Sequence, residues 1–396
     1  GSFTYAGAAN ALNVARWDGS TWSALGGGIE GGQVYSLAAF AGGPMQGVYA
    51  GGNFGRAGGA SANCIARWDG SSWSSLTSGL TGLSPNYAYA MLAYDDGSGP
   101  ALYIGGYFAF AGGVSAPNVA RWDGASWSGL GSGMNDAVLS LAVYNDGGGP
   151  KLYAGGNFTM AGGVPARSIA RWNGSSWSAL EPLGSSGTVL CLAVFDDGSG
   201  PGLYAGGTFD NLGGVANTRH IARWSGGSWS PLGLGMANNG TVRAMTVYDD
   251  GSGPALYALG EFSQASATPT LHIARWKDFV WTAVEGGLLP NNCVANTAAA
   301  FDDGIGADRL YVGGTFDSAG PIPSYRIAEW VGCPVCYANC DHSTPAPRLN
   351  ILDFACFVNR FASGDPYANC DGSTVPPVIN VIDFACFLNR FAVGCP

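Results

Sequence analysis

The chain has 396 residues, of which 65 are Gly, 47% are hydrophobic and 11% are charged, with 27 acidic against 17 basic side chains and a formal charge of −10. Average domains carry about 25% charged residues and about 7% Gly, so this composition predicts a turn-dense, packed all-β chain and excludes a helical or disordered one. It also excludes the usual nucleic-acid binder, because 15 Arg and two Lys (Lys151 and Lys277) form no basic run that could neutralise phosphates. No apolar run nears the roughly 18 residues that span a bilayer, and no charged-then-apolar leader opens the sequence, which predicts a soluble, mature product.

The tripeptide Ala-Arg-Trp ends at Trp17, Trp68, Trp122, Trp172, Trp224 and Trp276, and Ala-Glu-Trp ends at Trp330, in steps of 51, 54, 50, 52, 52 and 54 residues. Five residues after each of the first six stands a second tryptophan, at Trp22, Trp73, Trp127, Trp177, Trp229 and Trp281, which completes the 13 in the chain. One unit, 188–232, carries four strand signals: Thr188 to Phe195, Leu203 to Gly207, His220 to Trp224 and Ser228 to Leu232. A hairpin cluster from Asp196 to Pro201 joins the first two. Four short antiparallel strands in about 50 residues match the length of one propeller blade.

A double Gly closes the second strand at Gly51-Gly52, Gly105-Gly106, Gly155-Gly156, Gly206-Gly207 and Gly313-Gly314, with Leu259-Gly260 as the departure. With an aromatic on the third strand and a Trp opening the fourth, residues 1–331 resemble the kelch-type β-propeller. The resemblance implies a six-bladed ring of four-stranded blades, and a fold rather than an activity. Strand signals total 25 where six blades need 24. Val14 to Leu25 is therefore expected to complete the blade begun near Ala298 and Tyr311, leaving one third strand, near Ala15 or Ala328, in surplus. A seven-bladed ring within a longer precursor is the alternative.

Beyond Trp330 the composition changes. Seven of the ten Cys lie in 333–396 and helical patterning appears, so residues 332–396 are predicted to form a small α-helical, disulfide-rich second domain. Residues 337–366 and 367–396 align without gaps and share 20 identities, each pairing a polar loop with a helix. These units resemble the type I dockerin, an EF-hand-like repeat pair. The resemblance implies calcium ligands Asn339, Asp341, Ser343, Asn350 and Asp353 in one loop and Asn369, Asp371, Ser373, Asn380 and Asp383 in the other. Asn369 to Asp383 spans 15 positions where an EF-hand loop has 12, and Pro376 and Pro377 fall inside, so a bound Ca²⁺ and a metal-free loop held by disulfides both stay open. Cys340 with Cys356, and Cys370 with Cys386, occupy equivalent places and are expected to tie each loop to its own helix, as a thin-cored domain of this size needs. The sequence leaves open the pairing of Cys64, Cys191, Cys293, Cys333, Cys336 and Cys395. A dockerin docks to a cohesin-type domain, and the resemblance places that contact on Val358, Asn359, Arg360, Leu388, Asn389 and Arg390. The cysteine-rich tail implies an oxidising compartment, hence secretion or a cell-surface location.

Polar residues that recur at one register are expected to serve every repeat. His220 and His272 precede third strands where other copies have Asn13, Cys64, Asn118, Ser168 and Arg326, which predicts a polar strand-start surface rather than a metal site. The pairs Asp95-Asp96, Asn145-Asp146, Asp196-Asp197, Asp249-Asp250 and Asp302-Asp303 suit hairpin turns. The six repeated arginines are expected to stack on tryptophans as cation–π pairs, and the tryptophans to fill the core. Glu329 breaks the arginine series and marks the last copy as a closure point or domain junction. Variation concentrates between the second and third strands, at Arg56, Phe108 to Phe110, Thr159-Met160, Asp210 to Leu212 and Ser263-Gln264. Recognition is expected there, with Phe110 and Met160 as apolar contacts.

The sequence therefore predicts a secreted, non-catalytic interaction or structural protein: a propeller scaffold with a docking tail for a cohesin-like partner. A self-assembling filament or surface-layer subunit, acting as a homo-oligomer, is the second reading. The third is an enzyme acting on extracellular polysaccharide or alcohol groups, which needs His, Tyr and acids gathered at one end of the propeller axis.

Overall fold

The computed structural model describes residues 1–180, 187–237, 240–284, 286–290, 292–301, 309–331 and 358. The strands fall into seven repeats. Repeats 2 to 6 are each a four-stranded antiparallel sheet in chain order. Repeat 2 runs Val34–Phe40, Gly47–Gly52, Ile65–Trp68 and Trp73–Ser75; repeat 3 runs Tyr87–Asp95, Pro100–Tyr107, Val119–Trp122 and Trp127–Gly129. Repeats 4, 5 and 6 begin at Val138–Asn145, Val189–Asp196 and Thr241–Asp249 and end at Trp177–Ala179, Trp229–Pro231 and Val280–Ala283. A single 3₁₀ turn, Leu212–Gly214, interrupts the strands of the described residues before the tail.

The two ends differ from the expected closure. Ala15–Trp17 pairs with Trp22–Ala24 as a separate two-stranded sheet, repeat 1, while Ala295–Phe301, Arg309–Gly314 and Ile327–Val331 form a three-stranded sheet, repeat 7. Ile327–Val331 already occupies the place beside Arg309–Gly314 that Ala15–Trp17 was expected to take. Glu329 is ion-paired with Arg309 there. The swap explains the broken arginine series: Arg309 stands where repeats 3, 5 and 6 have Ala101, Gly202 and Ala255, so its partner on the third strand is an acid.

Contacts divide the chain into two compact units: Gly1–Val247 with Leu256–Ala298 and Val312–Ala328, and Tyr248–Ala255 with Ala299–Tyr311 and Glu329–Pro396. In the second, Tyr248 Oη donates to the Trp330 carbonyl at 3.3 Å. The expected domain boundary at 331/332 falls at the edge of the described residues.

Within the first unit, consecutive repeats are tied together by contacts that explain the repeated residues. The first Gly of the double-Gly signature lies under the next repeat's first strand: a Cβ on Gly105, Gly155 or Gly206 would stand 2.5, 2.5 and 2.6 Å from Val138, Val189 and Val242. A side chain there would push the sheets apart. The two tryptophans of each sheet pack with ring centroids 5.1 to 5.5 Å apart. The fourth-strand indole then reaches back one repeat: Trp73, Trp177 and Trp281 Nε1 donate to the carbonyls of Leu25, Leu130 and Leu232 at 2.9, 2.9 and 3.0 Å. Each indole thereby buries its ring and satisfies its one donor.

Candidate functional site

The hairpins hold the densest polar clusters, and they are spent on structure. Oδ1 of Asp95 accepts the backbone N–H of Gly97 and Gly99, and Asn145, Asp196 and Asp249 repeat the arrangement on their own glycines. The turn role expected of these pairs is thus met by their first members. The second members face inward. Asp96 and Asp197 accept the hydroxyls of Tyr103 and Tyr204 at 2.7 and 2.8 Å. Asp146 accepts Tyr153 at 3.2 Å and Lys151 at 2.8 Å, and pairs with Arg171. Burial opposes ionisation of Asp146, but the bonds from Lys151 and Arg171 outweigh it and bring its carboxyl down to about 2. Asp302 and Asp303 lie outside the described residues.

Four of the six repeated arginines bond to oxygens of the hairpins and the loops beside them. Arg67 donates to the Gln46 carbonyl, Arg121 to Ser98 Oγ and the Gly99 carbonyl, and Arg223 to the Gly200 carbonyl, while Arg171 takes Asp146. A guanidinium at this register is opposite the hairpin that ends two acceptor-rich residues away, and charge-assisted bonds there use its fork better than an indole face. A cavity of about 170 Å³ lined by Asp96, Tyr103, Arg121 and Trp172 opens beside one such cluster.

The strand-start register is not a polar surface. Cys64, Asn118, Ser168, His220 and His272 are all buried, and they share φ near +65° with Asn13 and Arg326. From that left-handed position the side chain reaches a neighbouring backbone. Asn118 accepts from Phe108 N and donates to the Met134 carbonyl at 2.9 Å, Ser168 binds the Gly187 carbonyl, and Cys64 the Asn86 carbonyl. His220 is held below its usual titration range by burial. Cys64, Cys191 and Cys293 are buried free thiols. Among the described residues, no three His, Cys, Asp or Glu side chains converge as a metal site.

Two surfaces break the repetition. Between the second and third strands, and at the matching place in repeat 1, short ribbons form in every repeat but the fifth, and their exposed side chains differ; those of repeats 3 and 4 are Phe110–Ala111 with Val114–Ser115 and Met160–Ala161 with Val164–Pro165. Phe110 and Met160 are exposed as the sequence anticipates, at 42% and 40%, and Val114 and Val164 beside them are equally open. These valines were missed, although the repeated Ala-Gly-Gly-Val of 111–114 and 161–164 marks them as ribbon residues. In repeat 5 the ribbon does not form: Leu212 is buried in the 3₁₀ turn.

The second surface is at the bulged start of the first strands. Register shifts make Tyr35 and Tyr89 the extra residues of their strands. Tyr87 and Tyr89 stack at 5.0 Å and 10°, and Tyr35 leans against them at 6.0 and 5.4 Å, inclined by 53° and 48°. Sequence reasoning did not find this trio.

The expected calcium ligands of both loops, the four paired cysteines, and Asn359, Arg360, Leu388, Asn389 and Arg390 lie outside the described residues. Val358 is described, as a helical, half-buried residue.

No family model and no curated protein matches the chain. Among solved structures it is similar to the extracellular domain of BT4673 from B. thetaiotaomicron, described as a hybrid two-component system, at 11% identity and a TM-score of 0.47 over 77% of this chain and 34% of that one. A second structure of that protein's extracellular domain, described as a one-component system, aligns at 11% identity and a TM-score of 0.37 over 76% and 38%. The chain spans about a third of the length of the structures it matches.

Proposed function

We propose that the chain is a secreted, non-catalytic binding scaffold of β-propeller type whose ribbons capture a partner and whose dockerin-like tail, with Ca²⁺ in its loops, docks to a cohesin-like domain. One observation carries this reading: the hairpin carboxylate, tyrosine and arginine clusters recur from repeat to repeat with their groups bonded to one another, whereas the exposed face of the ribbons changes from copy to copy, with Tyr5, Phe110, Val114, Met160, Val164 and Ile322 as its apolar members and Arg56 as a charged one. A reaction needs a polar constellation that is not required by every blade. A capture surface needs accessible apolar residues on rigid supports.

The test cross-links the full chain in its native extracellular milieu and maps the linked peptides. Partner peptides are expected on 108–115 and 158–165, and Phe110→Ser with Met160→Ser should remove them without altering the melting transition. Catalytic turnover of polysaccharides or alcohols by the purified chain would refute the reading. The tail is tested separately on an immobilised cohesin domain: loss of binding in EGTA is expected, and binding that ignores the chelator removes the metal from the account. A second reading, self-assembly, is favoured by Ile322, Tyr325 and Ile327, exposed at 65%, 78% and 44% on the last repeat. A strictly monomeric species in size-exclusion chromatography with light scattering would sink it.

A further inference from the structure

The tyrosine trio has no counterpart in the other repeats. The position of Tyr35 and Tyr89 is Leu139, Leu190, Arg243 and Asn296 in repeats 4 to 7, and that of Tyr87 is Gln33, Ala137, Thr188, Thr241 and Val294. A need common to all blades does not explain it. The bulge that leaves the extra residue out of the ladder and re-aims its side chain recurs at Leu139 and Leu190, so what is particular to repeats 2 and 3 is the aromatic side chains it carries. Here two bulges on neighbouring first strands bring the rings of residues 52 to 54 positions apart into contact.

We infer that Tyr35, Tyr87 and Tyr89 form a binding site for a neutral pyranose ring of an oligosaccharide. The parallel pair and the inclined Tyr35 make a corner of aromatic faces, Tyr35 itself being 42% exposed. A pyranose offers one face of C–H groups to such a ring and a rim of hydroxyls, and a tyrosine offers both an apolar face and a polar tip. The Tyr35 ring, the exposed one of the three, can present its phenol hydroxyl to a hydroxyl rim. Burial raises the titration of Tyr35 and Tyr89, the latter to about 12. The three rings themselves offer an anion no partner, whereas C–H groups stack on them. A polyproline peptide prefers a groove between parallel aromatic ridges, and the tilt of 48° to 53° closes this site into a corner instead.

This inference is independent of partner capture at the ribbons, and either can fail alone. The experiment is calorimetric titration of the full chain with cellohexaose, xylohexaose, mannohexaose and chitohexaose, and with decaproline. Saturable binding of at least one saccharide is expected. Tyr35→Ala should weaken it about tenfold or more, Tyr35→Phe by less than about threefold because the ring face remains, and the distant exposed Val280→Ser not at all. Because Tyr35 is largely exposed, its variants retain the fold, which a melting curve verifies. Absence of binding to all four saccharides, binding indifferent to Tyr35→Ala, or decaproline binding lost in that variant would each overturn the inference.

Discussion

Asp146 offers the sharpest measure of what the hairpin clusters contribute. Its carboxylate is buried to 6% exposure and accepts Lys151, Tyr153 and Arg171. A carboxyl that titrates at about 2 in place of 3.8 is linked to about 2.4 kcal/mol of stability at 1.36 kcal/mol per pH unit. Lys151 and Arg171 are 20% and 31% exposed, so solvent screens the cluster and roughly 1–2 kcal/mol is expected to survive. Asp146→Asn keeps the shape, removes the charge and leaves two cations facing each other. The lowered carboxyl stabilises the fold above pH 3.8 and loses that contribution as the pH falls towards 2. Urea unfolding at pH 7, 5, 3 and 2 should therefore show the variant about 1–2 kcal/mol weaker at neutral pH, with the gap closing at the acid end. Adding Lys151→Met should return part of the loss. A gap unchanged at pH 2, or none at pH 7, would refute the assignment.

Gly105→Ala places a methyl 2.5 Å from Val138 Cγ1 across two repeats. Thermal unfolding should show a loss of about 1–3 kcal/mol, largely restored by Val138→Ala. His220 has φ of +63°, which Asn adopts readily, and burial lowers its titration from 6.5. The unfolded chain therefore binds the proton more readily, so stability is full above pH 6.5 and falls as the pH drops below it. Unfolding midpoints between pH 7.5 and 5.5 should flatten in His220→Asn.

The period, the four-strand unit and the hairpin turns were legible because each is written locally: alternation, Asp-Gly clusters and paired tryptophans need no partner elsewhere in the chain to be recognised. What failed depends on the neighbouring repeat. Asn118 looks like a polar residue at the start of a strand, and its burial comes from the Met134 carbonyl 16 residues on and from a φ of +64° that no alternation pattern announces. Arg171 looks free to stack until the hairpin carboxylate 25 residues earlier is folded against it. The tyrosine trio escaped for a related reason. Tyr87-Ala88-Tyr89-Ala90 reads as ordinary alternation, and the bulge that brings Tyr35 against it is a property of two sheets. Of the candidate ribbon residues, Arg56, Phe110 and Met160 on two-stranded ribbons are exposed and Gln264 on another is half-buried, while Leu212, in the copy lacking that ribbon, is buried.

Repetition separates scaffold from ligand surface only when each break in the pattern is followed to its compensation. Glu329 breaks the arginine series and Arg309 answers it within the same sheet, so that break is closed and implies no ligand. Gly202 replaces a larger residue and makes room for Arg223, since a Cβ there would lie 2.6 Å from its Nε. Phe110 has room from Gly82, where a Cβ would lie 2.6 Å from its ring, yet it stays 42% exposed, as Met160 does at 40% and Tyr35, leaning on two half-buried rings, at 42%. Leaving large apolar surface in water forfeits roughly 25 cal/mol for every Å² that could have been buried. A fold that covers tryptophans in repeats 2 to 6 yet leaves these residues open has the exposed apolar surface that the proposed capture role requires.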